Sequence, residues 1–244
     1  MKQTLISFPL RFLLFLLMLA VVAAAFSFIA LRYGIPPRPA QSTSTRGNVT
    51  VILDAGHGGE DGGAVSASGL YEKDLNLAIA QRVKSLLEAN GVNVIMTRET
   101  DILLYDRNVD YHGRKKALDL AARQKIGEET PDGIFISIHM NAYPKSQYRG
   151  LQVWYSPNHA ASRALADTVQ STVREHLQPE NDRKIKRATS SIYLLHHLTV
   201  PAILIECGFL SNPEETELLG SEEYQQTLSF LIFLSIMDAC DGGI

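Results

Sequence analysis

Val51-Ile52-Leu53-Asp54-Ala55-Gly56-His57-Gly58-Gly59 is the stretch from which the rest of the chain can be read. A run of aliphatic residues ends in an acid, and a glycine-rich turn then presents one imidazole. Glycine accepts backbone bends that other residues resist, so such a turn can bring a ring close to a metal or a substrate. The layout recurs: Ile134-Phe135-Ile136-Ser137-Ile138 ends at His139, and Ala202-Ile203-Leu204-Ile205 ends at Glu206. Three apolar strands tipped by His, His and Glu predict one site at the carboxyl edge of a sheet, where open α/β sheets bind ligands.

Strands are expected at Thr50–Asp54, Val92–Thr97, Gly133–His139, Leu151–Tyr155 and Ala202–Glu206. Between the first two, Leu75, Ile79, Val83, Leu86 and Leu87 repeat at helical spacing, and Asn90-Gly91 ends that helix. Further helices are expected at Tyr111–Lys125, Ala160–Leu177 and Tyr224–Cys240. Alternating strands and helices predict an α/β fold, a twisted and largely parallel sheet with helices on both faces.

Ahead of this domain, Lys2 and Arg11 precede an uncharged run from Phe12 to Leu31. About 20 apolar residues suffice to cross a bilayer as a helix. Ala23-Ala24-Ala25 would suit a cleavage site but lies inside the run, so the expectation is an uncleaved signal-anchor over residues 1–35. A polar, proline-bearing linker fills 36–48, and the catalytic domain spans 49–244. The domain is then extracytoplasmic, anchored to the membrane or secreted. A net charge of -3 does not suggest a nucleic-acid binder. Cys207 and Cys240 are too few for a disulfide scaffold, and Cys207 reads as a small buried thiol.

Zinc favours imidazole and carboxylate, and a catalytic zinc takes three protein ligands and keeps one position open. Four residues are candidates: His57, Glu72, His139 and Glu206. Glu72 opens the first long helix, where an acid is also favoured simply by the helix dipole. Both carboxylates are chemically suitable ligands.

Four ordered motifs carry a resemblance. They are Asp54-Ala55-Gly56-His57-Gly58-Gly59, Glu72-Lys73-Asp74, Ser137-Ile138-His139-Met140-Asn141-Ala142, and Ile205-Glu206-Cys207-Gly208-Phe209-Leu210-Ser211-Asn212. Together they resemble the zinc-dependent N-acetylmuramoyl-L-alanine amidases of the amidase-3 family, from about Val49 to Asp238. The resemblance implies a Zn²⁺ cofactor held by His57, Glu72 and His139, with Glu206 as the catalytic carboxylate. It implies peptidoglycan as substrate and cleavage of the bond between N-acetylmuramic acid and L-alanine. Val94-Ile95-Met96-Thr97-Arg98-Glu99 and Lys186-Arg187 before Ile192-Tyr193-Leu194 look like the spore-cortex branch, the germination-specific amidases. That branch implies sporulation, muramic δ-lactam formation, and a place at the forespore membrane or cortex. Gly127-Glu128-Glu129 stands where many members of the family carry Asn, a departure that bears on a helix end and not on zinc.

Zinc lowers the pKa of bound water and polarises a carbonyl, while Glu206 would carry a proton to the departing amine. Asp54 either orients a ligand imidazole or caps the turn, and Asn141 either meets the substrate carbonyl or satisfies a turn. His196-His197 is expected on an extended stretch, its rings on opposite faces, and His112, His159 and His176 are expected in solvated polar contexts. Arg183, Lys184, Lys186 and Arg187 read as a solvated loop, or as a contact for acidic glycan, stem-peptide carboxylates or a protein partner. Trp154 reads as strand packing. Two further readings stay open on the residues: a zinc exopeptidase or deacetylase of cell-wall substrates, and a non-catalytic membrane-tethered scaffold. Positioning is expected to rely on the N-terminal helix or on an activating protein partner.

Overall fold

The computed structural model describes residues 12–23, 49–106, 108 and 112–242. The chain forms two units, Met1–Thr45 and Arg46–Ile244. In the first, residues 12–23 form helix α1, whose apolar side chains such as Phe12, Leu13 and Leu17 are exposed. Among the described residues no helix is long and apolar enough to cross a membrane. The expected span Phe12–Leu31 lies partly outside the described residues, and the linker 36–48 wholly so.

The second unit runs β1 (Thr50–Ala55), α2 (Glu72–Ala89), β2 (Asn93–Met96), α3 (Lys115–Glu128), β3 (Gly133–Asn141) and β4 (Gln152–Tyr155). It continues α4 (Ala161–His176), β5 (Lys186–Arg187), α5 (Tyr193–His197), β6 (Ala202–Phe209), α6 (Pro213–Gly220) and α7 (Glu222–Gly242). The six strands form one sheet in the order β2-β1-β3-β6-β4-β5. All neighbours are parallel except β4, which runs antiparallel to β6. The expected α/β fold with a mostly parallel sheet is therefore observed.

Strands covered on both faces read as unbroken apolar runs rather than alternating ones, which is why β1 and β3 carry Val51-Ile52-Leu53 and Ile134-Phe135-Ile136. Alternate residues serve two cores. Val51, Leu53, Ile136, Ile138, Ile203 and Ile205 pack with Ile79 and Val83 of α2, Val169 of α4 and Ile232 of α7. On the other face Ile52, Phe135, Ala202 and Leu204 pack with Leu194 and Leu195 of α5, and Leu120 of α3 closes against them. Burying each such side chain stabilises the fold by about 1.5–3 kcal/mol before entropy is counted.

Differences from the sequence reading are local. Helix α3 begins at Lys115 rather than near Tyr111 and ends at Glu128. His196 and His197 lie on helix α5, not on an extended stretch; His197 stacks on Tyr193 with ring centroids 4.2 Å apart. Lys186 and Arg187 form an edge strand instead of a loop, because their main chain pairs with Trp154 and Tyr155. Helix α6 was not foreseen although its signals are written in the chain. Asn212 caps it by accepting from Glu215 N at 3.1 Å, Pro213 follows, and Glu214 and Glu215 fill the first turn.

Gly127 near the end of α3 has a packing reason: a Cβ there would overlap Leu198 and press on Phe135. Gly127→Val should therefore lower stability by about 1–3 kcal/mol through overpacking, read from the urea unfolding midpoint. An unchanged midpoint would show that α3 is free to shift away from the sheet.

Candidate metal centre

Where β1 ends, the chain makes an approach that only glycine permits. A Cβ on Gly56 would overlap the His139 ring, so the absence of a side chain lets β1 and the tip of β3 lie against each other. The next residue, His57, has φ 61, a left-handed conformation that a residue with a Cβ resists, at a cost of about 1–3 kcal/mol.

Two arginines hold that backbone in place. Arg98 donates from Nε to Ala55 O at 2.8 Å and from Nη2 to Gly56 O at 3.0 Å. Arg123 donates from Nη1 to Ala55 O and from Nη2 to His57 O, both at 2.8 Å. Arg123 is buried, so its charge requires an anion. Asp54 supplies one at 2.6 Å and Asp119 another at 2.8 Å. Asp54 also accepts from Thr97 Oγ1 at 2.8 Å and Ser137 Oγ at 2.6 Å. Burial alone would favour the neutral acid, but the Arg123 charge and then the Ser137 hydroxyl hold the Asp54 carboxyl below its usual range. Neither reading offered for Asp54 applies: its carboxylate is occupied with neutralising Arg123 rather than with an imidazole.

The three residues His57, Glu72 and His139 converge. Glu72 Oε1 lies 3.2 Å from His57 Nε2 and 2.9 Å from His139 Nδ1. The same oxygen accepts from Met140 N at 3.0 Å, and Oε2 accepts from Ala64 N at 2.7 Å. Glu72 is only 3 % exposed, so this first-turn acid faces inward rather than toward solvent. Gly63, at φ +66, makes room for it, since a Cβ there would come within 2.5 Å of Glu72 Oε2. The far side of the His57 ring meets Asp61 Oδ2, 2.9 Å from Nδ1. At that distance Asp61 is, of the groups around the ring, the one that most favours a protonated His57.

Burial disfavours a charged His57, yet Asp61 and Glu72 together raise its pKa to about 9. Burial likewise opposes ionisation of Glu72, but its hydrogen bonds with His139 and His57 prevail and keep it ionised. Donor atoms of the three residues lie within 4.8 Å of one another, so the group could hold a metal ion. Zinc at bond lengths of 2.0–2.1 Å separates tetrahedral ligand atoms by about 3.3 Å, close to the spacing around Glu72 Oε1. The donor set fits the metal.

Glu206 stands beside this group rather than in it. On β6 it is the register partner of His139 on parallel β3, so both side chains emerge on one face of the sheet. Its Oε2 is buried with no hydrogen-bond partner. Burial, helped by the Glu72 charge and opposed by His57, raises its pKa to about 8. Asn141 contributes main chain, its carbonyl accepting from Leu210 N at 2.8 Å, which ties the tip of β3 to that of β6.

Sequence reasoning missed Asp61, Arg123 and the clamping role of Arg98. Asp61, four residues after His57, had a local signal; the arginines act from far along the chain and had none. His159 accepts from Ala161 N at 3.2 Å, a local turn contact. Trp154 packs in the sheet as expected, with Lys186 Nζ 5.0 Å above its ring.

Comparison with known proteins agrees with this geometry. The Amidase_3 family, described as N-acetylmuramoyl-L-alanine amidase, matches residues 51–238. The germination-specific N-acetylmuramoyl-L-alanine amidase of Bacillus subtilis strain 168 is 41% identical over 187 residues, 77% of this chain and 78% of that one. The solved structure of the CwlD amidase from Clostridioides difficile, in complex with the GerS lipoprotein, has 38% identity and a TM-score of 0.74, covering 79% of this chain and 98% of that one. The amidase AmiC2 of Nostoc punctiforme has 32% identity and a TM-score of 0.67, covering 80% and 98%.

Replacing Arg123 by Ala strands Asp54 and Asp119 in the interior and releases the His57 turn. A loss of about 3–5 kcal/mol is expected in denaturant unfolding. A loss below 1 kcal/mol would mean that the buried charges find other partners. A second outcome concerns pH in protein stripped of metal by a chelator. Glu206, raised from 4.5 to about 8, and His57, raised from 6.5 to about 9, both bind more protons folded than unfolded. Stability from these groups is present at low pH and is lost as pH rises through the folded values. Glu206→Gln should gain on the parent steadily between pH 5 and 8; parallel stability curves would contradict the burial argument.

Proposed function

This chain belongs to the N-acetylmuramoyl-L-alanine amidase family, and from that membership we propose a zinc-dependent mechanism for it. It is a peptidoglycan amidase, and the zinc exopeptidase, deacetylase and non-catalytic scaffold readings give way to the family match. In the proposal His57, Glu72 and His139 hold the metal, and Glu206 carries the proton. The observation that carries it is the pairing of a half-buried His-Glu-His group with a buried, unpartnered carboxylate oxygen in register beside it.

Bound there, zinc supplies Lewis acidity, activating water and polarising the scissile carbonyl. The rest is work for the chain. Asp61 fixes the His57 ring so that Nε2 faces inward, and Met140 N and Ala64 N hold the Glu72 carboxylate in one orientation. Glu206 takes a proton from the attacking water and returns it to the amide nitrogen as the bond to L-alanine breaks. An amine leaves poorly as an anion, so this transfer decides the rate. A carboxyl raised to about 8 suits a group that must both accept and give a proton near neutrality.

The biological setting is part of the same proposal. The B. subtilis relative is germination-specific, which supports a role in spore-cortex maturation leading to muramic δ-lactam. Action is extracytoplasmic, at the forespore membrane or cortex. Residues 1–35 serve as the signal-anchor, 36–48 as linker and 49–244 as the catalytic domain. The C. difficile amidase was solved with a lipoprotein, which supports a protein partner here as well.

Purified protein should contain one zinc per chain, and His57→Ala should lose most of it along with activity. Glu206→Gln should keep the metal while turnover falls about 10²–10⁴-fold. In muropeptide digests, mass spectrometry should find intact glycan and free peptides beginning with L-alanine. Full zinc occupancy in His57→Ala, or near-parental turnover in Glu206→Gln, would overturn the assignment.

A further inference from the structure

Helix α2 carries a cation in the turn where its dipole favours anions. Glu72 and Asp74 suit that first turn, and Lys73 between them does not. Its ammonium is used instead on the turn that follows His57. Lys73 Nζ donates to Gly59 O at 2.9 Å and to Asp101 Oδ2 at 2.6 Å. Asp101 Oδ1 accepts from Gly59 N at 2.6 Å. Both backbone polar groups of Gly59 are thus gripped by one ion pair, which joins α2 to the segment after β2. The fit is close, since a Cβ on Gly58 would come within 2.2 Å of Ile102 O.

The turn held in this way carries Asp61. Gly58 N donates to Asp61 O at 2.9 Å and Asp61 N donates to Gly58 O at 3.0 Å, which closes the turn on itself. Asp61 Oδ2 lies 2.9 Å from His57 Nδ1, while Nε2 of the same ring faces Glu72. Lys116 Nζ, 3.3 Å from that oxygen, ends an exposed side chain, so the backbone of the turn is what fixes Asp61. At the other end of the segment Asn76 Nδ2 donates to Gly56 O at 3.1 Å. The start of α2 therefore holds the chain on both sides of His57, beside the carboxylate that faces the two imidazoles. The ion pair itself is partly exposed, 16% for Lys73 and 48% for Asp101, and such pairs add little to overall stability. Its consequence lies in the geometry of the site.

We propose that Lys73 and Asp101 are positioning residues: through Gly59 they hold Asp61 against the His57 ring and so raise the affinity of the His57, Glu72 and His139 group for its metal. Partners that orient a ligand imidazole change metal affinity without touching the metal. This inference rests on the metal site proposed above. The rival explanation is a surface staple that only ties α2 to the segment after β2. A second ion pair supplies the comparison, because Lys84 of α2 pairs with Glu99 on the same segment. Its partners, Glu88 and Glu99, both lie outside the turn.

Zinc affinity of the full chain, first stripped of metal and then titrated in competition with a chromogenic chelator, separates these roles. Lys73→Met and Asp101→Ala should each weaken binding roughly 10–100-fold, and Lys84→Met should leave it unchanged. Both residues act through Gly59, so the double variant should lose far less than the product of the single losses. If Asp101→Ala fails to fold, Asp101→Asn keeps an acceptor for Gly59 N and should still weaken binding, because the charge opposite Lys73 is gone. Cobalt(II) loaded to saturation reports ligand geometry: its visible bands should shift in Asp101→Ala and stay parental in Lys84→Met. Tight zinc binding by the parent, with parental affinity and cobalt spectra in Lys73→Met and the Asp101 variant, would overturn this inference alone. Equal weakening by Lys84→Met would identify a staple and also end it. A parent that takes up no zinc removes the metal reading and this inference with it.

Discussion

The buried contact between Arg123 and Asp54 is the constraint on which the site depends. A guanidinium and a carboxylate, each almost fully removed from water, are costly to bury separately and must be paired. The pair joins α3 to the end of β1, and it leaves two further donors of Arg123 for the carbonyls of Ala55 and His57. Arg98 closes the same turn from the residues that follow β2. The left-handed His57 is thus held by charge-assisted hydrogen bonds, each of which is worth more than a neutral one. A strained backbone geometry persists only when its surroundings over-determine it, and here four donated hydrogen bonds do so.

Space matters as much as charge. Gly56 lets the first strand approach the His139 ring, and Gly63 lets the loop pass over Glu72. Either glycine with a side chain would push apart the atoms that converge. Glu72, ionised and buried, then shapes its neighbours in opposite ways. It raises the proton affinity of His57 by attraction and that of Glu206 by repulsion. Two carboxylates near one another thereby acquire different protonation behaviour, Glu72 held ionised and Glu206 pushed toward the neutral acid.

The sheet also gives the site its direction. Parallel β3 and β6 set His139 beside Glu206, and the single antiparallel strand adds Gln152 to the row. Past that row Gln152 Oε1 accepts from Arg183 Nη1, whose guanidinium stands over the Phe209 ring.

Much of this was legible in the chain. Unbroken apolar runs at Val51, Ile134 and Ala202 required strands buried on both faces, and polar tips at His57, His139 and Glu206 placed a site at their carboxyl ends. Those are local properties, set by side-chain burial and glycine freedom within a few residues. The role of Asp54 was not legible, because its partner Arg123 is 69 positions away and reads in sequence as one more helical cation. Helix α5 at His196 and His197 and the edge strand at Lys186 were missed because their short segments carry weak local signals and draw their stability from packing. Sequence alone determined the five longer strands, the order of the motifs and the donor chemistry, since each needs only near neighbours. Tertiary structure decided which acid faces the histidines and which arginines bind the turn, because buried charges choose partners by distance in space.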